Sequence, residues 1–457
     1  MSLAIDSPTL QERLDDLREE HDVPGASVAV LRDGDVVAAA SGILNLDTGV
    51  EADTDSLFQI GSITKVWTAT LVMQLVEAGT LELDAPVRRY LPDFRVADED
   101  VSANVTIRHL LTHTSGIDGD HFADTGRGDD ALAAYVASCA DVAQVHPLGA
   151  TMSYCNTGFS ILGRIVEVVV DATWDEAIRT RLSEPLGLAH TATLPEDVLR
   201  FRAAIGHIEP PGHERSTAPM WGLPRSAGPA GGICSTATDL LGFAALHLGD
   251  GTSPTGERLL REDTLAAMRE PLAVVPSGIG SFASRWGLGW SIHEWSGCQV
   301  VGHDGGTIGQ SAFLRVVPDA GVAVALLTNG GHTISLFRDL CGALLAEAAG
   351  VELPAEAVPL AEQPPVDPAP YVGTYARAGA SFEVVARDGG IVAVQTVTGL
   401  GSELTPEPIQ LELLVLDADF FLTQHPAAPG LWLPVRFVTL PDGSRCMHAG
   451  GRATPKV

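Results

Sequence analysis

The sequence predicts an α+β protein in two parts: an antiparallel sheet covered by helices, then a small all-β domain. Three observations carry this. Strand patterns lie near both ends of the first 350 residues with helical patterns between them; six prolines fall within residues 351–370; and the chain beyond alternates without a helical period. Strands from opposite ends must meet to make one sheet, and the apolar helices between them are its cover. The proline-rich stretch reads as a stiff linker. The expected divisions are therefore 1–350, 351–370 and 371–457.

Taken in order, residues 10–21 form a polar amphipathic helix. Apolar runs at 25–31 and 36–41 flank Asp33-Gly34, which predicts a hairpin. Residues 62–77 predict a helix that Gly79 closes, and it is apolar nearly all round, so it should be buried. Helical pieces broken by Pro and Gly continue to about residue 248, with 158–170 the clearest. Strands return at 287–293, 298–302, 311–317 and 322–327, the last two joined by Pro318-Asp319-Ala320-Gly321. Residues 334–349 predict a closing helix. After the linker, 381–385, 391–396, 412–416 and 435–440 alternate as strands of a small barrel.

The 457 residues are 45% hydrophobic, which excludes a disordered chain. With 28 basic against 58 acidic side chains the net charge is −30, which repels nucleic acid and anionic membranes; neither is expected as a partner. No apolar run approaches the ~18 residues of a membrane span. Residues 1–6 show neither a basic nor a long apolar export signal, so a cytoplasmic location is expected. The six cysteines lack C-x-x-C spacing and read as free thiols.

Only two basic residues are lysines, Lys65 and Lys456. Lysine can lose its proton at workable pH and arginine cannot, so a lysine kept mid-chain marks a position where arginine will not serve. It stands in Gly61-Ser62-Ile63-Thr64-Lys65, at the start of the apolar helix. Residues i and i+3 share a helix face, so the Ser62 hydroxyl and Lys65 amine can meet. A desolvated lysine has its pKa driven down and can take the serine proton. The same spacing also suits an N-cap serine with a solvated lysine. In Ser153-Tyr154-Cys155-Asn156, an extended backbone points Tyr154 and Asn156 the same way, as a proton shuttle and an orienting amide, with Cys155 opposite and structural. In Gly302-His303-Asp304-Gly305-Gly306, at a strand end turning toward the next strand, the glycines admit a substrate backbone and a free N–H for an oxyanion.

Together, Ser62-x-x-Lys65, Tyr154-x-Asn156 and His303-x-Gly305 resemble the motifs of the penicillin-recognising serine enzymes: class C β-lactamases, D,D-peptidases, D-aminopeptidases and related esterases and acyltransferases. Residues 110–116, 230–237 and 302–309 resemble the same family, over about residues 8–349. Residues 371–375 and beyond resemble the lipocalin-like domain appended to some members. The resemblance implies a β-lactamase/transpeptidase-like fold with a helical subdomain and no cofactor or metal. It implies Ser62 as acylated nucleophile, Lys65 as its base, Tyr154 as proton relay and Asn156 as holder of the acyl-chain amide. The N–H groups of Ser62 and Gly306, beside Gly305, would be the oxyanion hole. His303 stands where class C β-lactamases carry lysine, which turns the reading from antibiotic resistance toward esterases, D-aminopeptidases and penicillin-binding-protein-type thioesterases that cyclise nonribosomal peptides. The expected partner is thus a small or peptidyl acyl donor, a thioester among the candidates, and Arg445 or Arg452 is the candidate to hold a substrate carboxylate. Two rival readings are a metal enzyme using His109, His113, Asp118, Asp120 and His121, and a non-catalytic binding protein on the same fold.

Overall fold

The computed structural model describes residues 6–210, 213–399, 402, 405, 407–426 and 428–457. Strands β1 (Gly25–Arg32) and β2 (Asp35–Asn45) form the predicted hairpin, with Arg32 opposite Asp35. Asp33 (φ 53°) and Gly34 (φ 90°) both take the left-handed conformation that a two-residue turn between twisted strands requires. The sheet adds β3 (Val50–Glu51), β4 (Ala273–Val274), β5 (Arg285–Trp286), β6 (Ser291–Trp295), β7 (Cys298–Thr307), β8 (Gln310–Val317) and β9 (Val322–Thr328). Its nine strands run in the order β3-β2-β1-β9-β8-β7-β6-β5-β4, antiparallel throughout. β1 pairs with β9 from Ala26 opposite Thr328 to Arg32 opposite Val322, so the two ends of this part of the chain meet at the sheet centre.

Two strand expectations are corrected. The segment 287–293 is not one strand: Gly289 (φ 86°) turns the chain, and Gly287 N–H donates to the Trp290 carbonyl at 2.8 Å, dividing β5 from β6. The strand expected to stop at residue 302 continues to Thr307, so His303-Asp304-Gly305-Gly306 lies within β7 and not in a turn. Pairing explains the extension. β6 covers β7 only as far as Gly302, opposite Ser291, while β8 covers it to Thr307. Beyond Gly302 one edge of β7 is therefore free of a neighbouring strand, and that edge is where the chemistry collects.

Helices cover both sheet faces. On one, α1 (Ser7–Glu20) packs Leu10 and Leu14 with Phe313, Leu326, Leu336, Leu340 and Leu344; the last three belong to the helical run Thr333–Leu336, Phe337–Cys341 and Gly342–Ala349. On the other lies α2 (Thr64–Glu77), preceded by a tight 3₁₀ turn at Gly61–Ile63. α2 is buried on all sides, as its composition predicts: Val66, Trp67, Leu71 and Val72 are wholly inaccessible. Trp67 stacks on Phe243 of α4 (Ala237–Leu248) with ring centroids 4.0 Å apart. Between them in the chain, α3 (Asn156–Val170) begins two residues before its predicted start.

Residues 351–372 carry neither helix nor strand. Eight strands follow, each antiparallel to the next: Gly373–Arg377, Ala380–Arg387, Gly390–Val397, Ile409–Asp417, Phe420–His425, Ala428–Thr439, Arg445–Ala449 and Arg452–Pro455. A bridge from Tyr375 to Lys456 brings the first against the last and nearly closes a barrel around Tyr375, Phe382, Phe421, Phe437 and Met447. No helix among the described residues is long and apolar enough to cross a membrane.

Candidate active site

Ser62 sits in the 3₁₀ turn ahead of α2, where Gly61 (φ 50°) brings the chain against β7. A Cβ at Gly61 would lie 2.7 Å from the Gly306 amide nitrogen, so glycine is needed for the approach. The Gly305 position is as tight: a Cβ there would collide with the Ile60 carbonyl and stand 3.2 Å from the Ser62 nitrogen. We expect Gly305→Ala to separate Ser62 from β7 and cut acylation about 10²-fold, since a shift of roughly 1 Å costs that much. A stopped-flow acylation rate checks it.

Lys65 Nζ donates to Ser62 Oγ at 3.0 Å and to the Ala230 carbonyl at 2.6 Å. The side chain is wholly inaccessible, and Nζ stands 4.8 Å from the Tyr154 ring centroid and 5.7 Å from that of Phe159. Burial drives the ammonium pKa well below its ordinary value, and the nearby Arg452 charge pushes the same way. Tyr154 lines the same space with its hydroxyl buried beside Ser62, and burial raises its pKa, so it stays a neutral phenol. His303 donates from Nδ1 to the Asp304 carbonyl at 2.7 Å; a carbonyl only accepts, so the proton is on Nδ1 and Nε2 is left as an unpartnered acceptor. Burial, helped by Lys65, pushes His303 down to about 3, which keeps it neutral.

Asn156 stands beside Asp120. It is the first residue of α3, and its Nδ2 donates to Asp120 Oδ1 at 3.3 Å, with no hydrogen bond to Lys65 among the described residues. Cys155 points away, as predicted: its thiol donates to the Ile117 carbonyl at 3.3 Å, accepts from Gly158 N–H at 3.2 Å and caps α3.

Of the two arginines considered, Arg445 pairs with Asp419 at 3.0 Å within the barrel and lies over Tyr371, away from the site. Arg452 reaches it. Its guanidinium lies 5.1 Å from the Tyr154 ring centroid and 3.0 Å from Asp120. Arg377, also from the barrel, pairs with the same Asp120. Two cations thus share the Asp120 carboxylate beside Tyr154, and the neighbouring Asp118 carboxylate also acts on Arg377. The hairpin carrying Arg452 also holds the Tyr154 segment directly. Tyr154 N–H donates to the Gly451 carbonyl at 2.9 Å, Ala453 N–H to Ser153 Oγ at 3.0 Å, and His448 Nε2 bonds the Met152 carbonyl at 3.0 Å. Sequence reasoning placed Asp120 only in a possible ligand set. Asp118 of that set stays beside Asp120, accepting from the Asp120 N–H at 3.2 Å and the Ala378 N–H at 2.6 Å, while the histidines scatter, with His109 on Thr106, His113 on the Cys155 N–H and His121 on Ser138.

A cavity of about 730 Å³ opens over these groups, lined by Ser62, Tyr154, His303, Gly306 and Arg452 and roofed by Leu433 and Pro434 of the barrel. Four buried histidines bear on its stability: His247, His293 and His303 are pushed down to about 3 and His448 to about 4 by burial. In the unfolded chain they take protons near pH 6.5, so the unfolded state binds more protons below that pH. The urea midpoint should hold above pH 6.5 and fall progressively from there toward pH 4.

The sequence match agrees with this geometry: residues 10–348 fit the beta-lactamase family. The chain belongs to the beta-lactamase family. Within it, the chain is 52% identical over 378 residues to penicillin-binding protein 4 of Amycolatopsis lactamdurans, covering 82% of this chain and 99% of that one. The crystal structure of SurE superposes with a TM-score of 0.79 at 31% identity over 99% of both chains, and SurE has also been solved with D-Leu. D-amino acid amidase from Ochrobactrum anthropi SV3 matches with a TM-score of 0.58 at 26% identity, over 70% of this chain and 90% of that one. The protein is a penicillin-binding-protein-like serine hydrolase of the beta-lactamase family.

Proposed function

We propose that the protein forms an acyl-enzyme on Ser62 and passes the acyl group of a peptidyl thioester with a D-configured residue at the reacting carbonyl to water or to an amine. The carrying observation is the buried Lys65 Nζ 3.0 Å from Ser62 Oγ at the cavity floor. Neutral Lys65 takes the Ser62 proton as Oγ attacks the carbonyl carbon. The oxyanion forms between the N–H groups of Ser62 and Gly306. Tyr154, a neutral phenol, gives its proton to the leaving group and recovers one from Lys65. No cofactor enters these steps. The D preference draws support from the likeness to SurE, solved with D-Leu, and to D-amino acid amidase. The reading as a penicillin-binding-protein-type thioesterase that releases or cyclises a nonribosomal peptide rests on the neutral His303 and the barrel roof. Arg452, in the cavity lining, suits a substrate carboxylate, and Arg452→Ala should then raise KM for carboxylate-bearing donors alone.

Intact-protein mass after mixing with a penicillin, a nitrophenyl ester and a D-terminated peptidyl thioester tests the reading. An adduct in the wild type and none in Ser62→Ala is expected, with the thioester consumed fastest. Preference for a D-amino acid amide would favour the amidase-like alternative. Absence of any adduct or turnover would favour a binding protein on this fold.

A further inference from the structure

The barrel strand Ala428–Thr439 outruns one of its two neighbours. On one side Phe420–His425 pairs with it from Arg436 through Trp432; on the other, Arg445–Ala449 stops at Ala449, opposite Val435. Ahead of Val435, no strand among the described residues runs along that second edge. Phe437 N–H donates to the Asp419 carbonyl at 2.8 Å, on the Phe420–His425 side. Backbone groups alternate along an antiparallel strand, so Val435 and Leu433 turn theirs to that same side, and Pro434 and Trp432 turn theirs to the open edge. Pro434 fits this assignment, since a strand accepts proline where the missing N–H would face no partner. The Trp432 N–H and carbonyl and the Pro434 carbonyl therefore point out from an uncovered edge. Gly430-Leu431-Trp432-Leu433-Pro434 carries no charge to guard it, in a chain of net charge −30.

Beside this edge lies the active-site cavity. Leu431, Leu433 and Pro434 line it, and so do Gly450 and Gly451, which follow Ala449 directly. The cavity thus takes the place into which Arg445–Ala449 would continue, had the chain not turned back at Gly451, whose carbonyl accepts the Tyr154 N–H. A second cavity of about 610 Å³ extends the space along the same strand: it is lined by Gly430 and by Leu431, Ile334, Ser335 and Arg338, and the last four also line the first. From 430 to 434 the open edge is about 13 Å long, room for about five extended residues.

We propose that this open barrel edge is the subsite for the peptide chain of the acyl donor, which pairs with it as an added strand. This rests on the acyl-enzyme reading and states how its donor is held. One donor residue exchanges two bonds with Trp432, accepting from the Trp432 N–H and donating its own N–H to the Trp432 carbonyl; the donor residue one strand repeat away donates to the Pro434 carbonyl. Main-chain pairing of this kind selects an extended peptide with an unsubstituted backbone over a single amino acid derivative, and it leaves the side chains to the cavity walls.

Calorimetric binding to the full-length Ser62→Ala protein tests the edge without acylation. The probe is N-acetyl-tetra-alanyl-D-leucinamide, with N-acetyl-D-leucinamide as the short control, and the long peptide should bind about 10-fold more tightly. Trp432→Ala, added to Ser62→Ala, removes the indole and keeps the backbone N–H. Trp432→Pro removes the N–H as well and should bind the long peptide about 10-fold more weakly than Trp432→Ala. N-methylation of one alanine at a time should cost about 10-fold at the residue paired with Trp432, and that cost should vanish in Trp432→Pro, as coupled partners require. If Trp432→Pro does not fold, the N-methyl series on Ser62→Ala decides alone. Equal binding of long and short peptides, N-methylation tolerated within twofold at every alanine, or Trp432→Pro within twofold of Trp432→Ala overturns the subsite. Failure of every donor to acylate the wild type would count against the acyl-enzyme reading and leave these binding measurements standing.

Discussion

Lys65→Arg should lose acylation about 10³-fold while keeping its positive charge. Positioned bases contribute roughly 10²–10⁴-fold, and a guanidinium cannot lose its proton at workable pH. Lys65 is set up to lose its own. It is wholly buried, its pKa is driven well down by desolvation, and its nearest polar contacts are a hydroxyl and a carbonyl, neither of them anionic. Arginine is also larger, and overpacking a closed site costs about 1–3 kcal/mol. A thermal melt beside the acylation rate separates the two effects. A variant that folds yet acylates at the wild-type rate would remove Lys65 from the mechanism.

Asp120→Ala should produce the largest loss of stability. Asp120 is the shared counter-ion of Arg377 and Arg452 and the acceptor of the Asn156 amide. Burial raises its carboxyl pKa, but the two guanidinium groups outweigh this and hold it below the usual range. Its stabilisation is therefore present above pH 3.8 and lost as pH falls through the lower folded value. Removing the carboxylate leaves two like charges facing each other where catalytic fold and barrel meet. Breaking a buried pair from one side costs about 3–5 kcal/mol. Chemical unfolding of Asp120→Ala should show a drop of that order, with the segment before α3 losing protection from hydrogen exchange. Asp120→Asn should lose less, since its carbonyl still accepts from one arginine.

What could be read from the sequence was local or rested on recognised motifs. The Asp33-Gly34 hairpin, the all-apolar α2 and the alternation of β9 declare themselves over a few residues. So does Ser62-x-x-Lys65, whose members are one helical turn apart. The continuation of β7 to Thr307 was hidden, because glycines read as a turn and only the pairing with β8 makes them strand. Four barrel strands were missed: Gly373–Arg377, Phe420–His425, Arg445–Ala449 and Arg452–Pro455 are four to six residues long, too short for alternation to stand out. The Asp120–Arg452 pair spans 332 residues and has no sequence signal at all.

The pairing of β1 with β9 sets the order in which this protein can mature on the ribosome. A nascent chain ending near residue 300 already holds Ser62, Lys65 and Tyr154 but no partner for the inner edge of β1 and no Gly306 beside Ser62. α2, apolar all round, must wait through that interval with one flank of its core unmade. Contacts of such long separation form slowly and leave apolar surface open to association meanwhile. Slowed synthesis between residues 80 and 320 should therefore lower soluble yield more than the same slowing within the barrel.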